Sequence, residues 1–221
     1  MSLFAPRLDI LPPPQRRLWP ALAEAPAHFV LYGGTALALR LGHRASEDFD
    51  FFSAVGFRPD ELLRQLRFAE RAEVTQTAPN TLTFRTAAPN EVKCSFFGGL
   101  RLRQLEPPSR ASDTGLRVAS LRDLMAVKLN TLAQRAEAKD YLDVHALLRA
   151  GCSLAEGLAW ARAVHGGEFN PALPLKALTY FEDGDLPTLP VEIKQDLRAA
   201  VRAVTEVPDL PLNVSPLGAE T

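Results

Sequence analysis

The stretch Tyr32-Gly33-Gly34-Thr35-Ala36-Leu37, followed by Arg44-Ala45-Ser46-Glu47-Asp48-Phe49-Asp50-Phe51-Phe52, decides the reading of this chain. Residues 28–32 form an apolar run that reads as a buried strand, and Gly33-Gly34 is a turn signal. Thr35 stands where it can cap a helix over 36–41 that ends at Gly42. Residues 48–52 read as a second strand. Side chains alternate along a strand, so Asp48 and Asp50 share one face while Phe49 and Phe51 share the other. The phenylalanines can enter a core, which leaves two carboxylates converging on one site. Such a pair repels unless a cation neutralises it, and Mg²⁺ prefers carboxylate and phosphate oxygens. Two such ions could clamp the attacking and leaving oxygens of a phosphoryl displacement. The glycines let backbone approach a triphosphate, and the next helix presents its positive end there. Taken singly, a Gly-Gly pair is a turn and an Asp-x-Asp is a solvated strand face. In combination they point to nucleotide chemistry. The loop is neither a GxxxxGK[ST] phosphate loop nor a GxGxxG dinucleotide fingerprint.

Outward from this centre, Pro12-Pro13-Pro14 precedes a short helix predicted over 15–24, and Pro59 opens another. Strands are predicted over 73–77, 81–86, 91–97 and 100–105, and Pro107-Pro108 closes this part. Helices are predicted over 120–134, 138–150, 154–164 and 189–204. The order implies an α+β fold with a helical C-terminal half. The expected division is a catalytic core over 1–119 and a helical region over 120–221 that completes the active-site cleft.

Two of these helices carry unusual charges. In the first, Leu121, Leu124, Met125, Leu129 and Leu132 form one stripe, and Lys128 lies near its middle. A buried ammonium is costly, so Lys128 either snorkels out or meets a deep anion, which could be a triphosphate or a carboxylate. In the second, Asp140 borders the stripe of Tyr141, Val144, Leu147 and Leu148. Helix electrostatics is the plainer account here: Asp140 lies in the first turn, and Lys139 and Asp143, four apart, can pair. It explains Asp140 less well. Along 91–97, Glu91, Lys93 and Ser95 share a face that either lines the cleft or meets water.

The 221 residues are 47% hydrophobic, enough for a sizeable core, and the formal net charge is −1. Charge is uneven: residues 93–135 hold eight basic and three acidic residues, and 182–221 hold three basic and eight acidic. The basic segment suits phosphate or RNA, with an arginine-rich solvated surface as the alternative. The four histidines show no zinc spacing, and Cys94 and Cys152 read as reduced packing thiols. Trp19 and Trp160 read as packing residues. Neither a signal peptide nor a membrane span is evident, so a cytoplasmic protein is expected.

These residues together resemble the AbiEii/AbiGii toxin-type nucleotidyltransferases of the DNA polymerase β-like superfamily. The first motif runs from Tyr32 to Phe52. The later stretch, Lys128 with Arg135 and then Lys139-Asp140-Tyr141-Leu142-Asp143, resembles the family's lysine and Lys-Asp motifs. The resemblance implies a mixed sheet flanked by helices and a Mg²⁺-dependent transferase, with Mn²⁺ as the alternative ion. It implies transfer of a nucleotidyl group from a nucleoside triphosphate to an acceptor. Asp48 and Asp50 would hold metal. Gly33, Gly34 and Thr35 would cradle phosphate, braced by Arg44 and Ser46, with Arg135 and Lys139 among the nucleotide-binding residues. Lys128 would contact phosphate, and Asp140 would act as base or orient the acceptor. The acceptor expected is RNA, particularly tRNA, with a protein hydroxyl or a small molecule as alternatives. The partner expected is a separately encoded winged-helix antitoxin and regulator. The superfamily's third carboxylate falls here at Ser95, so either Glu91 substitutes for it or the metal site differs. A nucleotide-binding module without turnover is the rival reading, and a purely structural α+β domain is a third.

Overall fold

The computed structural model describes residues 2–211 and 213–219. The chain divides into two compact units. One comprises Met1–Leu102, Pro107–Ser120 and Pro216–Thr221, and the other Arg103–Glu106 and Leu121–Ser215.

The first unit is built on a mixed sheet of eight strands: Leu3–Phe4 (β1), Val30–Tyr32 (β2), Asp48–Phe52 (β3), Glu73–Ala78 (β4), Thr81–Arg85 (β5), Lys93–Phe97 (β6), Ser109–Ala111 (β7) and Arg117–Val118 (β8). Their spatial order is β1-β7-β8-β2-β3-β6-β5-β4. β2 runs antiparallel to β3, and β3 runs parallel to β6. Register follows the alternation in the sequence. Phe49 pairs with Cys94 and Phe51 with Phe96, and all four are buried on one face. Phe96 stacks on Phe51 at 4.6 Å and meets Phe29 edge-on at 5.1 Å. Offset and edge-to-face rings of this kind add to the area they bury. Trp19 joins the core, with its indole N–H donating to Asp113 at 2.8 Å. The helices of this unit are Pro13–Leu18 (α1), Gly33–Leu41 (α2) and Pro59–Gln65 (α3). β4, the outer strand, is exposed along its whole length.

The expected strand over 100–105 is cut to Arg103–Gln104, which lies outside the eight-stranded sheet. Beyond β6 the backbone turns at Gly99, whose φ is +63°, and the Gly99 and Leu100 amides bond back to the carbonyls of Val55 and Ser53. Those bonds occupy the donors a sixth long strand would have offered to a neighbour.

Among the described residues the second unit holds five α-helices: Leu121–Leu132 (α4), Ala138–Arg149 (α5), Leu154–His165 (α6), Ala172–Ala177 (α7) and Val191–Ala203 (α8). α4 packs on α6 at Gly157. A Cβ there would lie 2.9 Å from Met125 Cε and 3.1 Å from Leu129 Cδ1, so the glycine sets how closely the helices approach. Asp123, buried in α4, accepts from the amides of Leu105 at 2.7 Å and Glu106 at 3.3 Å, which ties that segment to the helix. Trp160 is buried, and Arg122 lies over its ring. Among the described residues no helix is long and apolar enough to cross a membrane.

Candidate active site

The face of β3 opposite the phenylalanine core carries Asp48 and Asp50, both partly exposed. This is the placement the alternation demands. Across the parallel pairing with β6, Asp48 stands opposite Lys93 and Asp50 opposite Ser95. Lys93 Nζ lies 3.3 Å from Asp48 Oδ2, with the two side chains 38% and 43% exposed. Ser95 is buried at 2% exposure. The carboxylates also act on their neighbours. The Cys94 thiol is pushed far up by burial first, and then by the charges of Asp50 and Asp48. The cysteine is therefore an uncharged packing group.

α2 starts at Gly33 itself, three residues earlier than the sequence suggests. Gly33 has φ of +74°, and a Cβ built there would fall 2.8 Å from Asp50 Oδ2. The backbone at the helix start thus lies directly against the carboxylate, and only glycine tolerates both the backbone angle and the approach. At Gly34 an added Cβ would run into the Arg44 guanidinium and stand 3.1 Å from Ser46 Oγ. Thr35 does not cap the helix. The residue before the helix is Tyr32, without a side-chain cap, and Thr35 is buried within the first turn. Its hydroxyl bonds Ser46 Oγ at 2.8 Å and the carbonyl of Asp48. Thr35 and Ser46 thereby lock α2 to the start of β3. Arg44 donates to its neighbour's carbonyl at Ala45, 2.9 Å away. Gln15, which the sequence reading passed over, is buried in α1 and donates to the Ser46 carbonyl at 3.2 Å. No local pattern could have revealed it, because that contact spans 31 residues.

The second unit brings together Lys128, Arg135, Asp140 and Asp143. Lys128 Nζ lies 2.7 Å from Asp140 Oδ1 and 2.6 Å from Asp143 Oδ2, with both aspartates fully buried and the lysine 7% exposed. Arg135 Nε donates to Asp140 Oδ2 at 2.8 Å. Burial opposes ionisation of Asp140, but the Arg135 and Lys128 hydrogen bonds and charges outweigh it and hold the carboxyl below its ordinary range. The deep anion that meets Lys128 is thus a pair of carboxylates. Lys139 does not pair with Asp143 as its spacing suggested. It reaches Glu137 at 2.7 Å at the surface, while Asp143 is drawn inward to Lys128.

The basic segment 93–135 is largely engaged within the protein. Lys93 meets Asp48, Arg117 is buried and donates to the Ala27 and Gly218 carbonyls, Arg122 meets Glu106, and Lys128 and Arg135 meet Asp140. Arg101 and Arg103 remain exposed. The raw charge count therefore overstates the positive surface this segment offers.

Glu91 precedes β6 and is exposed, and among the described residues no cluster of three or more His, Cys, Asp or Glu side chains could hold a metal. Glu91 thus does not join Asp48 and Asp50 as a third acid. The two aspartates still fit Mg²⁺. That ion keeps several waters and is commonly held by one or two carboxylates together with substrate phosphates.

Comparison with known proteins bears on this arrangement. The family model for the nucleotidyl transferase AbiEii toxin of type IV toxin–antitoxin systems matches residues 16–212. An uncharacterised protein of Aquifex aeolicus (strain VF5) is 34% identical over 158 residues, spanning 70% of this chain and 74% of that one. A crystal structure from H. pylori, assigned to the nucleotidyltransferases, superposes with a TM-score of 0.50 at 18% identity, over 86% of this chain and 90% of the other. At that identity the likeness speaks for the fold.

Proposed function

Since the chain belongs to the AbiEii family of nucleotidyltransferases, we propose that it moves a nucleotidyl group from a nucleoside triphosphate to an acceptor hydroxyl at the Asp48–Asp50 face. The observation that carries this reading is the contact geometry of Gly33 and Asp50: a helix start, without a side-chain cap, set directly against one of two carboxylates on a common strand face. Helix starts attract phosphate, and paired carboxylates attract the cation that accompanies it.

Asp48 and Asp50 would hold Mg²⁺, with Mn²⁺ as a substitute. When bound, the ion would draw charge from the phosphate oxygens and orient the triphosphate. The chain's own residues do the placing. The amides at Gly33 and Gly34 take phosphate oxygens, and the missing side chains leave room for the Asp50 carboxylate and the Arg44 guanidinium beside them. Thr35, Ser46 and Gln15 hold the two elements in register, and the Arg44 guanidinium lies against Gly34. The reaction joins the acceptor oxygen to the α-phosphorus and releases pyrophosphate. In the second unit, Lys128 and Asp140 serve first as an internal ion network. Arg135, 45% exposed, is the member best placed to meet an anion from solution, beside Lys139.

RNA, with tRNA foremost, is the acceptor class we favour, on the exposed Arg101 and Arg103 and the family's place in toxin–antitoxin systems. The same family membership supports a cytoplasmic protein with a separately encoded antitoxin. The missing third acid favours one rival, a nucleotide-binding module without turnover. Incubation with labelled nucleoside triphosphates, Mg²⁺ and total tRNA separates the two. Transfer should label tRNA, and Asp48→Asn with Asp50→Asn should lower the rate by about 10³-fold, the scale of losing a main electrostatic stabiliser. Unchanged labelling in that variant would remove these carboxylates from the reaction. Tight nucleotide binding without pyrophosphate release would favour the binding module.

A further inference from the structure

We propose that Lys93 is the resident second cation of the Asp48–Asp50 face, so that the site takes one divalent ion with its nucleotide and Lys93 transfers from Asp48 to the triphosphate on binding. This rests on the nucleotidyl-transfer reading and specifies its charge inventory.

Three observations carry it. The β3–β6 register places Lys93 directly opposite Asp48 and Ser95 opposite Asp50, all on one sheet face. A third carboxylate, which would help to hold a second metal, is absent from that face: the position beside Asp50 is a buried serine, and Glu91 lies outside β6. The Lys93 ammonium already stands 3.3 Å from Asp48 Oδ2. A second divalent ion on that oxygen would sit against a like charge at contact distance.

The pair is also built to open. Both side chains are more than a third exposed, and ion pairs in that setting are only weakly stabilising. Lysine is a compact point charge on a flexible stem, suited to exchange a carboxylate for a phosphate oxygen without a fixed fork geometry. The buried Lys128, held by two aspartates at 2.7 and 2.6 Å, shows the opposite design.

Equilibrium dialysis of the full chain against Mn²⁺ and a non-hydrolysable nucleoside triphosphate analogue tests this, with bound metal and bound nucleotide both measured per chain. The wild type should bind one Mn²⁺ for each nucleotide. Lys93→Met should weaken nucleotide binding by about tenfold, the scale of one charge-assisted contact. The same variant should tighten Mn²⁺ binding measured without nucleotide by several-fold, because Asp48 loses its competing cation. Lys93→Arg should recover most of the nucleotide affinity, which a merely structural role at this half-exposed position would not require. Two Mn²⁺ per nucleotide in the wild type, or Lys93→Met with both affinities unchanged, would overturn the proposal. Failure of the parent reading looks different: wild-type nucleotide binding would then be absent, or would survive Asp48→Asn with Asp50→Asn.

Discussion

The two aspartate pairs of this protein share their side chains and even their partner type, a lysine on a neighbouring element, yet they differ in nearly every physical respect. Asp140 and Asp143 are fully buried on α5 and close on Lys128 at 2.7 and 2.6 Å. Asp48 lies 43% exposed on β3 and meets Lys93 loosely at 3.3 Å. Burying charge is expensive, so the inner pair persists only because the cations of α4 and Arg135 meet it at hydrogen-bond distance. The outer pair keeps its hydration and can exchange partners. Charged residues of one composition thus serve as an internal brace in the helical unit and as a ligand-ready face in the sheet unit.

The sharpest way to break this contrast is to remove each lysine. Lys128→Met removes the cation that two buried carboxylates share, and should destabilise the protein by about 3–5 kcal/mol in chemical denaturation. If Lys128→Met were as mild as a surface substitution, the inner network would not be the brace described here.

Gly33→Ala should act next most strongly. It places a methyl 2.8 Å from Asp50 Oδ2 on a backbone with φ of +74°. The strain is worth about 1–2 kcal/mol, and nucleotide transfer should fall more than stability does, because the methyl also displaces the Asp50 carboxylate. Equal losses in both would mean that Gly33 serves the fold alone.

Acid should then discriminate between the pairs. The Asp140 carboxyl is held below its ordinary range, so the stability it contributes is present above the unfolded value of about 3.9 and is lost as pH falls through the lowered folded value. Melts across that window should show a loss that Lys128→Met reduces, with the Arg135 hydrogen bond keeping the remainder. A variant that kept the full acid dependence would assign it elsewhere. The smallest effect should come from Lys139→Ala, which breaks only the surface contact with Glu137 and should move the melting temperature by no more than about 2 °C.

What could be read from the sequence follows the range of the interactions involved. Alternation along β3 is local, so the shared face of Asp48 and Asp50 and the buried face of Phe49 and Phe51 were legible. The stripe of α4 was equally plain, and with it the choice of Lys128 between snorkelling out and meeting a deep anion. Which anion was not legible, because Lys128 and Asp140 meet through the packing of two helices. The i,i+4 spacing of Lys139 and Asp143 misled for the same reason: burial of Asp143 outweighs a surface pairing worth a few tenths of a kcal/mol. Thr35 offered a cap by its type and position. Its hydroxyl instead reaches Ser46 and Asp48, contacts fixed by how α2 returns along β3. Lys93 was visible as part of a polar face, but its place opposite Asp48 depends on strand register, which no local pattern states.

The central claim is that the carboxylates leaning from β3, with the amides that open α2, receive a metal-bound triphosphate. The most direct measurement is a crystal structure of the protein with Mg²⁺ and a non-hydrolysable nucleoside triphosphate analogue. The account predicts a cation coordinated by Asp48 and Asp50 and phosphate oxygens within hydrogen-bond distance of the Gly33 and Gly34 amides. Nucleotide bound elsewhere, with both carboxylates meeting only water, would contradict it.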